Sequence, residues 1–220
     1  MAGRRGHALR VSALPIEPIQ FEVVRKLHHG NHRLQADCFL VRLPDGTPGF
    51  WKDFGQRSFL GRRATGRWTI ARERRAYERL QGVPGIARLI GAPTELSLLL
   101  EYIEGTNLNG PQDEPPLAAF FDRIEATLRE MHARGVSHGE VRLENVLRTP
   151  GGEPYLIDLA TATTTDPDRP GRLFRLQRKL DRYGLLMMKQ HLLPEGLSPA
   201  EQEEKRRLRR LASILRHNVV

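Results

Sequence analysis

Residues 138–158 read HGEVRLENVLRTPGGEPYLID, and this stretch contains two short apolar runs joined by the tight-turn composition Thr-Pro-Gly-Gly at 149–152. Asn145 comes directly before the first run, and Asp158 comes directly after the second. Apolar runs separated by such a turn predict a β-hairpin. We therefore expect the hairpin to hold Asn145 and Asp158 side by side.

The side chains at the two ends of this hairpin supply oxygen atoms that suit a hard cation. Mg²⁺ is usually bound by one or two carboxylates together with substrate phosphates, and it keeps several waters. Asn145 offers an amide oxygen and Asp158 a carboxylate, while Glu140 adds a second acid nearby. This combination is typical of phosphoryl transfer.

The same residues resemble the protein-kinase-like superfamily. His138-Gly139-Glu140 followed by Asn145 is similar to its catalytic loop, and Asp158-Leu159-Ala160 is similar to its metal-binding Asp-Phe-Gly. The second-position glycine resembles the small bacterial and RIO-like branches, in particular the lipopolysaccharide-core kinases that phosphorylate a Kdo or heptose sugar. The chain departs from the family at Glu140, where the family has Asp.

Composition and charge restrict the class of protein. A chain of 220 residues with 39% hydrophobic and 28% charged residues is long enough for one domain with a core or two small lobes, and it is not typical of a disordered protein. The net charge of +9 attracts polyanions. A lone cysteine, Cys38, excludes an internal disulfide framework. With no apolar run of about 18 residues, we expect a cytoplasmic protein, with peripheral contact at the inner face of the membrane left open.

The first hundred residues predict a small antiparallel sheet, with strands at 21–27, 36–43 and 50–52. The family presents a lysine to the ATP phosphates from its third strand, and Lys52 occupies that place. The predicted helix 69–80 carries Glu73 where the family has the glutamate that pairs with this lysine. A solvated Glu73 on a charged helix is the alternative.

The apolar run 96–104 resembles the strand and hinge between two lobes. The resemblance implies that backbone groups near Glu101 and Ile103 meet the adenine of ATP. We expect an α+β, two-lobed fold with a small antiparallel-sheet N-lobe carrying one helix and a reduced, mostly helical C-lobe. The predicted parts are an arm at 1–18, an N-lobe at 19–104 and a C-lobe at 105–220.

The second half predicts three helices, at 117–134, 173–193 and 199–216. The helix 173–193 resembles the one that supports the catalytic loop, with Asp181 near its middle. His132 and His138 are interpreted as structural hydrogen-bonding residues, not metal ligands. An arginine cluster could bind an anionic acceptor or a membrane, or could be a solvated face. It comprises Arg57, Arg62, Arg63 and Arg67, followed by Arg72, Arg74 and Arg75.

The resemblance implies an ATP- and Mg²⁺-dependent phosphotransferase that acts on a hydroxyl of a lipopolysaccharide core sugar or of protein Ser/Thr. Its implied roles are phosphate binding by Lys52, orientation of Lys52 by Glu73, Mg²⁺ binding by Asn145 and Asp158, and contact of Glu140 with the acceptor hydroxyl.

Two alternatives stay open. A catalytically weak or dead kinase-like binding protein is favoured by Glu140 and by Phe50, which crowds the expected adenine site, and a glycine-rich phosphate loop is lacking. Nucleic-acid binding is disfavoured because the arginines have few interleaved aromatic residues beyond Trp51 and Trp68.

Overall fold

A computed structural model describes residues 19–28, 36–55, 66–110, 116–193 and 196–217. The predicted arm at 1–18 and the arginines 57, 62 and 63 lie outside these ranges. The strands are β1 (Glu22–His28), β2 (Asp37–Arg42), β3 (Pro48–Asp53), β4 (Leu89–Gly91), β5 (Ser97–Glu101), β6 (Thr106–Asn107), β7 (Val136–Ser137), β8 (Val146–Arg148), β9 (Pro154–Leu156) and β10 (Thr163–Thr164). The helices are α1 (Arg67–Arg79), α2 (Ala118–Ala133), α3 (Arg172–Leu192) and α4 (Pro199–His217).

The N-terminal half is built on a five-stranded antiparallel sheet with the strand order β1-β2-β3-β5-β4. Side chains alternate between the two faces of a strand, so Phe50 and Lys52 on β3 point to one side and Trp51 to the other. The Trp51 ring lies 4.9 Å from Phe39 and 5.1 Å from Phe21, between ring centroids. These aromatic contacts cover the outer face and leave the Lys52 face for the interior.

Helix α1 packs against the inner face of this sheet. Its buried residues are Ile70, Glu73, Ala76 and Tyr77, a helical spacing of three and four that defines one inward stripe. Glu73 is the charged member of that stripe, and only 1% of its surface is exposed. A carboxylate at this depth needs a cation beside it.

The C-terminal half is mostly helical, with two small sheets beside the helices. Helix α2 buries an apolar stripe comprising Phe120, Phe121, Ile124, Leu128 and Met131. Strands β8 and β9 form the predicted hairpin, in which Val146 pairs with Leu156. The Ile157 amide donates to the Asn145 carbonyl at 3.0 Å, so the hairpin ends are joined as expected.

Helix α3 approaches the loop after β7 so closely that only glycine fits at position 184. A Cβ atom there would lie 2.1 Å from the Val141 carbonyl oxygen. The close approach lets polar side chains of α3 reach the backbone of that loop, which carries Glu140.

The predicted α+β class, with an antiparallel sheet in the first half and a mostly helical second half, is confirmed. The predicted helices and strands agree with the observed ones to within a few residues at each end. The division into lobes at residue 105 stays a prediction. Within the described part of the chain, no helix combines the length and apolar character needed to cross a membrane.

Candidate active site

A cleft of about 680 Å³ lies between the sheet and the β8–β9 hairpin. Its walls come from both halves of the chain, and they bring together residues that are far apart in sequence. The lining includes Phe50, Lys52, Glu73, Tyr77, Glu101, Ile103, Glu144, Asn145, Leu147, Ile157 and Asp158. Of the residues expected to bind the nucleotide or act on it, all except Glu140 therefore line this one cavity.

Lys52 joins the two halves of the site. Its Nζ lies 3.0 and 2.9 Å from the two carboxylate oxygens of Glu73 and donates to Asp158 Oδ1 at 2.8 Å. Lys52 and Glu73 are buried, whereas 45% of the Asp158 side chain is exposed. Glu73 thus has its cation, and Asp158 presents its remaining surface to the cleft.

The charges in this triad reinforce each other. Burial alone would favour neutral lysine, but the Glu73 and Asp158 carboxylates raise the pKa of Lys52 above its ordinary value. The Lys52 ammonium in turn lowers the pKa of Asp158. At neutral pH, Lys52 is a fixed cation and Asp158 a fixed anion.

Asp158 adopts a backbone conformation that is uncommon for a residue with a side chain. Its φ is 62° and its ψ is 77°, in the left-handed region. Its side chain accepts a hydrogen bond from the Ala160 amide at 3.4 Å and begins the 3₁₀ turn Leu159–Thr161. Strain of this kind persists where surrounding contacts hold it, and it is frequent at functional sites.

Asn145 and Asp158 offer side-chain oxygen atoms that fit Mg²⁺ as ligands. Asn145 Nδ2 donates to the Glu140 carbonyl at 2.9 Å, which directs the amide nitrogen toward the loop and leaves Oδ1 as the acceptor. Both side chains line the cleft. An amide oxygen and one partly exposed carboxylate match the sparse protein ligation that Mg²⁺ takes beside phosphates. In the described ranges, no three His, Cys, Asp or Glu side chains form a metal-binding group.

The loop around Glu140 is fixed from below by Asp181 of α3. Asp181 is completely buried and accepts three hydrogen bonds, from His132 Nε2 at 2.8 Å and from the amides of His138 and Gly139 at 2.9 and 2.7 Å. His138 Nε2 donates to the Ile157 carbonyl at 3.1 Å. Both histidines therefore make hydrogen bonds of the kind that the structural interpretation predicted. Burial lowers the pKa of His138.

The Glu140 side chain forms an ion pair that the sequence did not lead us to expect. Glu140 Oε1 lies 3.0 Å from Arg142 Nη1, and Arg142 Nε lies 3.5 Å from Glu144 Oε2. Residues two apart in an extended loop share a side. The spacing of Glu140 and Arg142 in the sequence was therefore the signal that could have revealed this ion pair. A guanidinium therefore accompanies the acid expected to contact the acceptor.

The expected adenine-binding segment borders the cleft without regular pairing. Residues 102–105 lie outside strands, and the Glu101 amide donates to the Arg88 carbonyl at 2.8 Å. Glu101 and Ile103 both line the cavity. Phe50 also lines it, so its ring narrows one wall without closing the space.

Part of the chain is similar in sequence to known protein kinases. No protein-family model matches the chain. Serine/threonine-protein kinase PknH of Mycobacterium bovis is 31% identical over 81 residues, which cover 34% of this chain and 14% of that protein. PknH of Mycobacterium tuberculosis gives the same identity and covers 13% of that protein. The chain therefore matches only a small part of these curated relatives.

A solved structure extends the similarity to most of the chain. The crystal structure of the Rio2 kinase-ADP/Mg²⁺-phosphoaspartate complex from Chaetomium thermophilum aligns with 86% of this chain and 61% of that chain, at a TM-score of 0.60 and 16% sequence identity. The sheet and the helix that carries Glu73 are elements that the resemblance had implied. The hairpin between Asn145 and Asp158 is the one that the turn composition predicts. The chain therefore has the fold of the protein-kinase-like superfamily, which includes the RIO-like branch.

Proposed function

We propose that this protein is an ATP- and Mg²⁺-dependent phosphotransferase that moves the γ-phosphoryl group to a hydroxyl acceptor. The observation that supports the proposal most directly is the position of Lys52, whose Nζ contacts Glu73 and Asp158 at the wall of a cleft. A buried ammonium held by two carboxylates is oriented for phosphate oxygens. The Rio2 kinase structure is a complex with ADP and Mg²⁺, which is consistent with the same ligands here.

Each residue has a role in this proposal. Lys52 holds the phosphates and Glu73 orients Lys52, while backbone groups of residues 101–103 meet the base. Asn145 and Asp158 hold Mg²⁺, which would neutralise charge on the phosphates. Positioning and electrostatics account for most of the rate enhancement in phosphoryl transfer.

Glu140 is the proposed base in this reaction. The acceptor oxygen bonds to the γ-phosphorus as the bond to the ADP oxygen breaks, and the proton of the hydroxyl passes to Glu140. Arg142, 3.0 Å from Glu140 Oε1, holds this side chain in place. Glutamate is one methylene longer than the aspartate of the family, so we expect a modest rate.

The acceptor is proposed to be an anionic saccharide, such as a lipopolysaccharide core sugar, or a Ser/Thr hydroxyl of a protein. The net charge of +9 favours an anionic acceptor. The name of the PknH relatives, serine/threonine-protein kinase, is consistent with the protein alternative. We propose a cytoplasmic location, and peripheral contact at an anionic membrane surface stays an open alternative.

Turnover with labelled ATP and Mg²⁺ tests the proposal. Phosphate release or transfer should depend on Mg²⁺ and should fall to background in Asp158→Ala. Asp122→Ala is the matched control because Asp122 is an exposed acid on α2, away from the cleft. Equal turnover in wild type and Asp158→Ala would remove the assignment.

A catalytically weak or dead kinase-like binding protein is the second candidate. Two observations favour it: Phe50 narrows the cleft, and Glu140 is engaged by Arg142. Thermal-shift measurements with ADP and Mg²⁺, run beside the turnover assay, separate the candidates. Ligand-induced stabilisation without turnover would favour the binding protein.

A further inference from the structure

Helix α1 contacts the segment after Asp158 through two arginines. Glu73 points from α1 to Lys52, and the preceding residue, Arg72, donates from Nη2 to the Ala160 carbonyl. Two turns later, Arg79 donates from Nη1 to the Thr165 carbonyl. Helix α1, whose Glu73 contacts Lys52, therefore also contacts both ends of the segment 160–165.

The Arg72 contact lies within one turn of the proposed metal ligand. Ala160 donates its amide hydrogen to Asp158 Oδ1, and its carbonyl accepts from Arg72. Asp158 is in the left-handed region, a conformation that is strained for a residue with a side chain and that the surroundings must stabilise. A guanidinium on Ala160 is well placed to stabilise this turn.

Arg72 is itself held in position by its neighbours. Its guanidinium lies over the Trp68 ring, 4.2 Å from the ring centroid, one helical turn away. Burial lowers the pKa of Arg72, and its Nε has no hydrogen-bond partner among the residues that the structure describes. An arginine that is partly desolvated and stacked in this way presents its remaining donors in a fixed direction.

The far end of the segment is fixed in a similar way. The Thr165 amide donates to the Gly135 carbonyl at 2.8 Å, and Arg79 binds the Thr165 carbonyl. Arg134 in turn donates to the Arg79 and Gln81 carbonyls at 3.3 and 2.9 Å. The end of α1, the end of α2 and the segment are thus joined by hydrogen bonds.

We infer that Arg72 is a positioning residue that couples the placement of Asp158 to the Lys52–Glu73 ion pair, with Arg79 as the distal anchor. The inference rests on the proposed function, because it assigns the control of Mg²⁺ binding at that same site. Adjacent residues of α1 thus contact Lys52 on one side of the site and the Ala160 carbonyl beside Asp158 on the other.

The test compares the variants Arg72→Met, Arg72→Lys and Arg75→Met. Methionine keeps length and removes the donors, while lysine restores one donor. Arg75 is the matched control, because it is an exposed arginine on the same helix. The readouts are the Mg²⁺ concentration for half-maximal thermal stabilisation in the presence of ADP, and kcat and KM for ATP.

We expect Arg72→Met to raise the half-maximal Mg²⁺ concentration by about tenfold. A change of this size corresponds to the loss of roughly one charge-assisted hydrogen bond. kcat should fall with it while KM for ATP changes less than about twofold, and Arg72→Lys should recover part of both losses. Arg79→Met should have a smaller effect, because its contact is farther from Asp158.

The outcomes separate this inference from the proposed function. If Arg72→Met and Arg75→Met respond to Mg²⁺ identically, or if Arg72→Met lowers only the melting temperature of the ligand-free protein, the positioning role is wrong and the proposed function stands. If wild-type protein shows no Mg²⁺-dependent response to ADP, the proposed function fails and the inference fails with it. Combining Arg72→Met with Asp158→Asn gives a further check, since the Arg72 effect on Mg²⁺ should disappear in that background.

Discussion

Lys52 and Asp158 are separated by 106 positions in the sequence, yet Lys52 Nζ lies 2.8 Å from Asp158 Oδ1. This contact joins the sheet of the N-terminal half to the end of the hairpin of the C-terminal half, at the wall of the cleft. Glu73 contacts the same ammonium at 2.9 Å. Stability and proposed chemistry therefore depend on the same three side chains.

The first prediction concerns the free energy of unfolding of Lys52→Met. This variant leaves Glu73 buried without a cation, so we expect a loss of about 3–5 kcal/mol by urea denaturation. The double variant Lys52→Met/Glu73→Leu should recover most of that loss, because it also removes the buried charge. Arg67→Met is the control; its pair with Glu95 is more than half exposed and should contribute at most about 1 kcal/mol. Equal losses for the two single variants would contradict the prediction.

The second prediction concerns Asp181→Asn. The carboxylate accepts hydrogen bonds from His132 and from the backbone amides of His138 and Gly139. An asparagine offers only one accepting oxygen, because its amide NH₂ group is a donor. Each buried donor left without an acceptor should cost about 1–3 kcal/mol. The loop that carries Glu140 should then lose its fixed position, and turnover should fall. Asp122→Asn, an exposed substitution, should change neither quantity, and an Asp181→Asn protein as stable and active as wild type would refute the supporting role.

The third prediction is a pH dependence caused by His138. The ring is completely buried and burial lowers its pKa, so the folded protein binds this proton less readily than the unfolded chain. Its contribution to stability is complete above the unfolded pKa of about 6.5 and is lost as the pH falls below it, by at most about 1.36 kcal/mol per pH unit. The free energy of unfolding, measured by urea denaturation between about pH 7 and pH 5, should fall less steeply with decreasing pH for His138→Gln than for wild type. The same pH dependence in both proteins would show that another group is responsible.

Part of the site could be predicted from the sequence because Asn145 and Asp158 stand at the ends of two short strands. The turn composition at 149–152 predicts the hairpin, and the hairpin places Asn145 beside Asp158. The pairing of Lys52 with Glu73 was implied by the family resemblance alone, and the structure places Glu73 on the inward stripe of α1, where it contacts Lys52.

One group of contacts that the sequence did not reveal runs from side chains to backbone carbonyls. Arg72 and Arg79 bind Ala160 and Thr165, and every residue of the chain offers such an acceptor, so no sequence pattern marks the partner. The pair formed by Arg142 and Glu140 was missed for a different reason: an arginine in a charged loop has several acids within reach. Tertiary packing selects one arrangement, and the packing is not visible in the order of residues.

The last prediction concerns the acid at the place of the family's aspartate. Glu140→Gln keeps the size of the side chain but removes its ability to accept a proton. The anchor of the loop should survive, because Asn145 binds the Glu140 carbonyl and not its side chain. We therefore expect kcat to fall by about 10²–10⁴-fold with KM for ATP nearly unchanged.

The variants Glu140→Asp and Arg142→Met test how the carboxylate is placed. Aspartate keeps the base but shortens its reach toward Arg142, so its activity should lie well above that of Glu140→Gln. Arg142→Met should lower kcat because Glu140 loses the guanidinium 3.0 Å away. The control Arg206→Met removes an exposed arginine of α4 that pairs with Glu203 outside the cleft, and it should leave kcat unchanged. If Glu140→Gln turns over as fast as wild type, Glu140 is not the base, and positioning by Lys52 and Asp158 alone accounts for the rate. If none of these proteins turns over but all bind ADP and Mg²⁺, the cleft serves binding and not transfer.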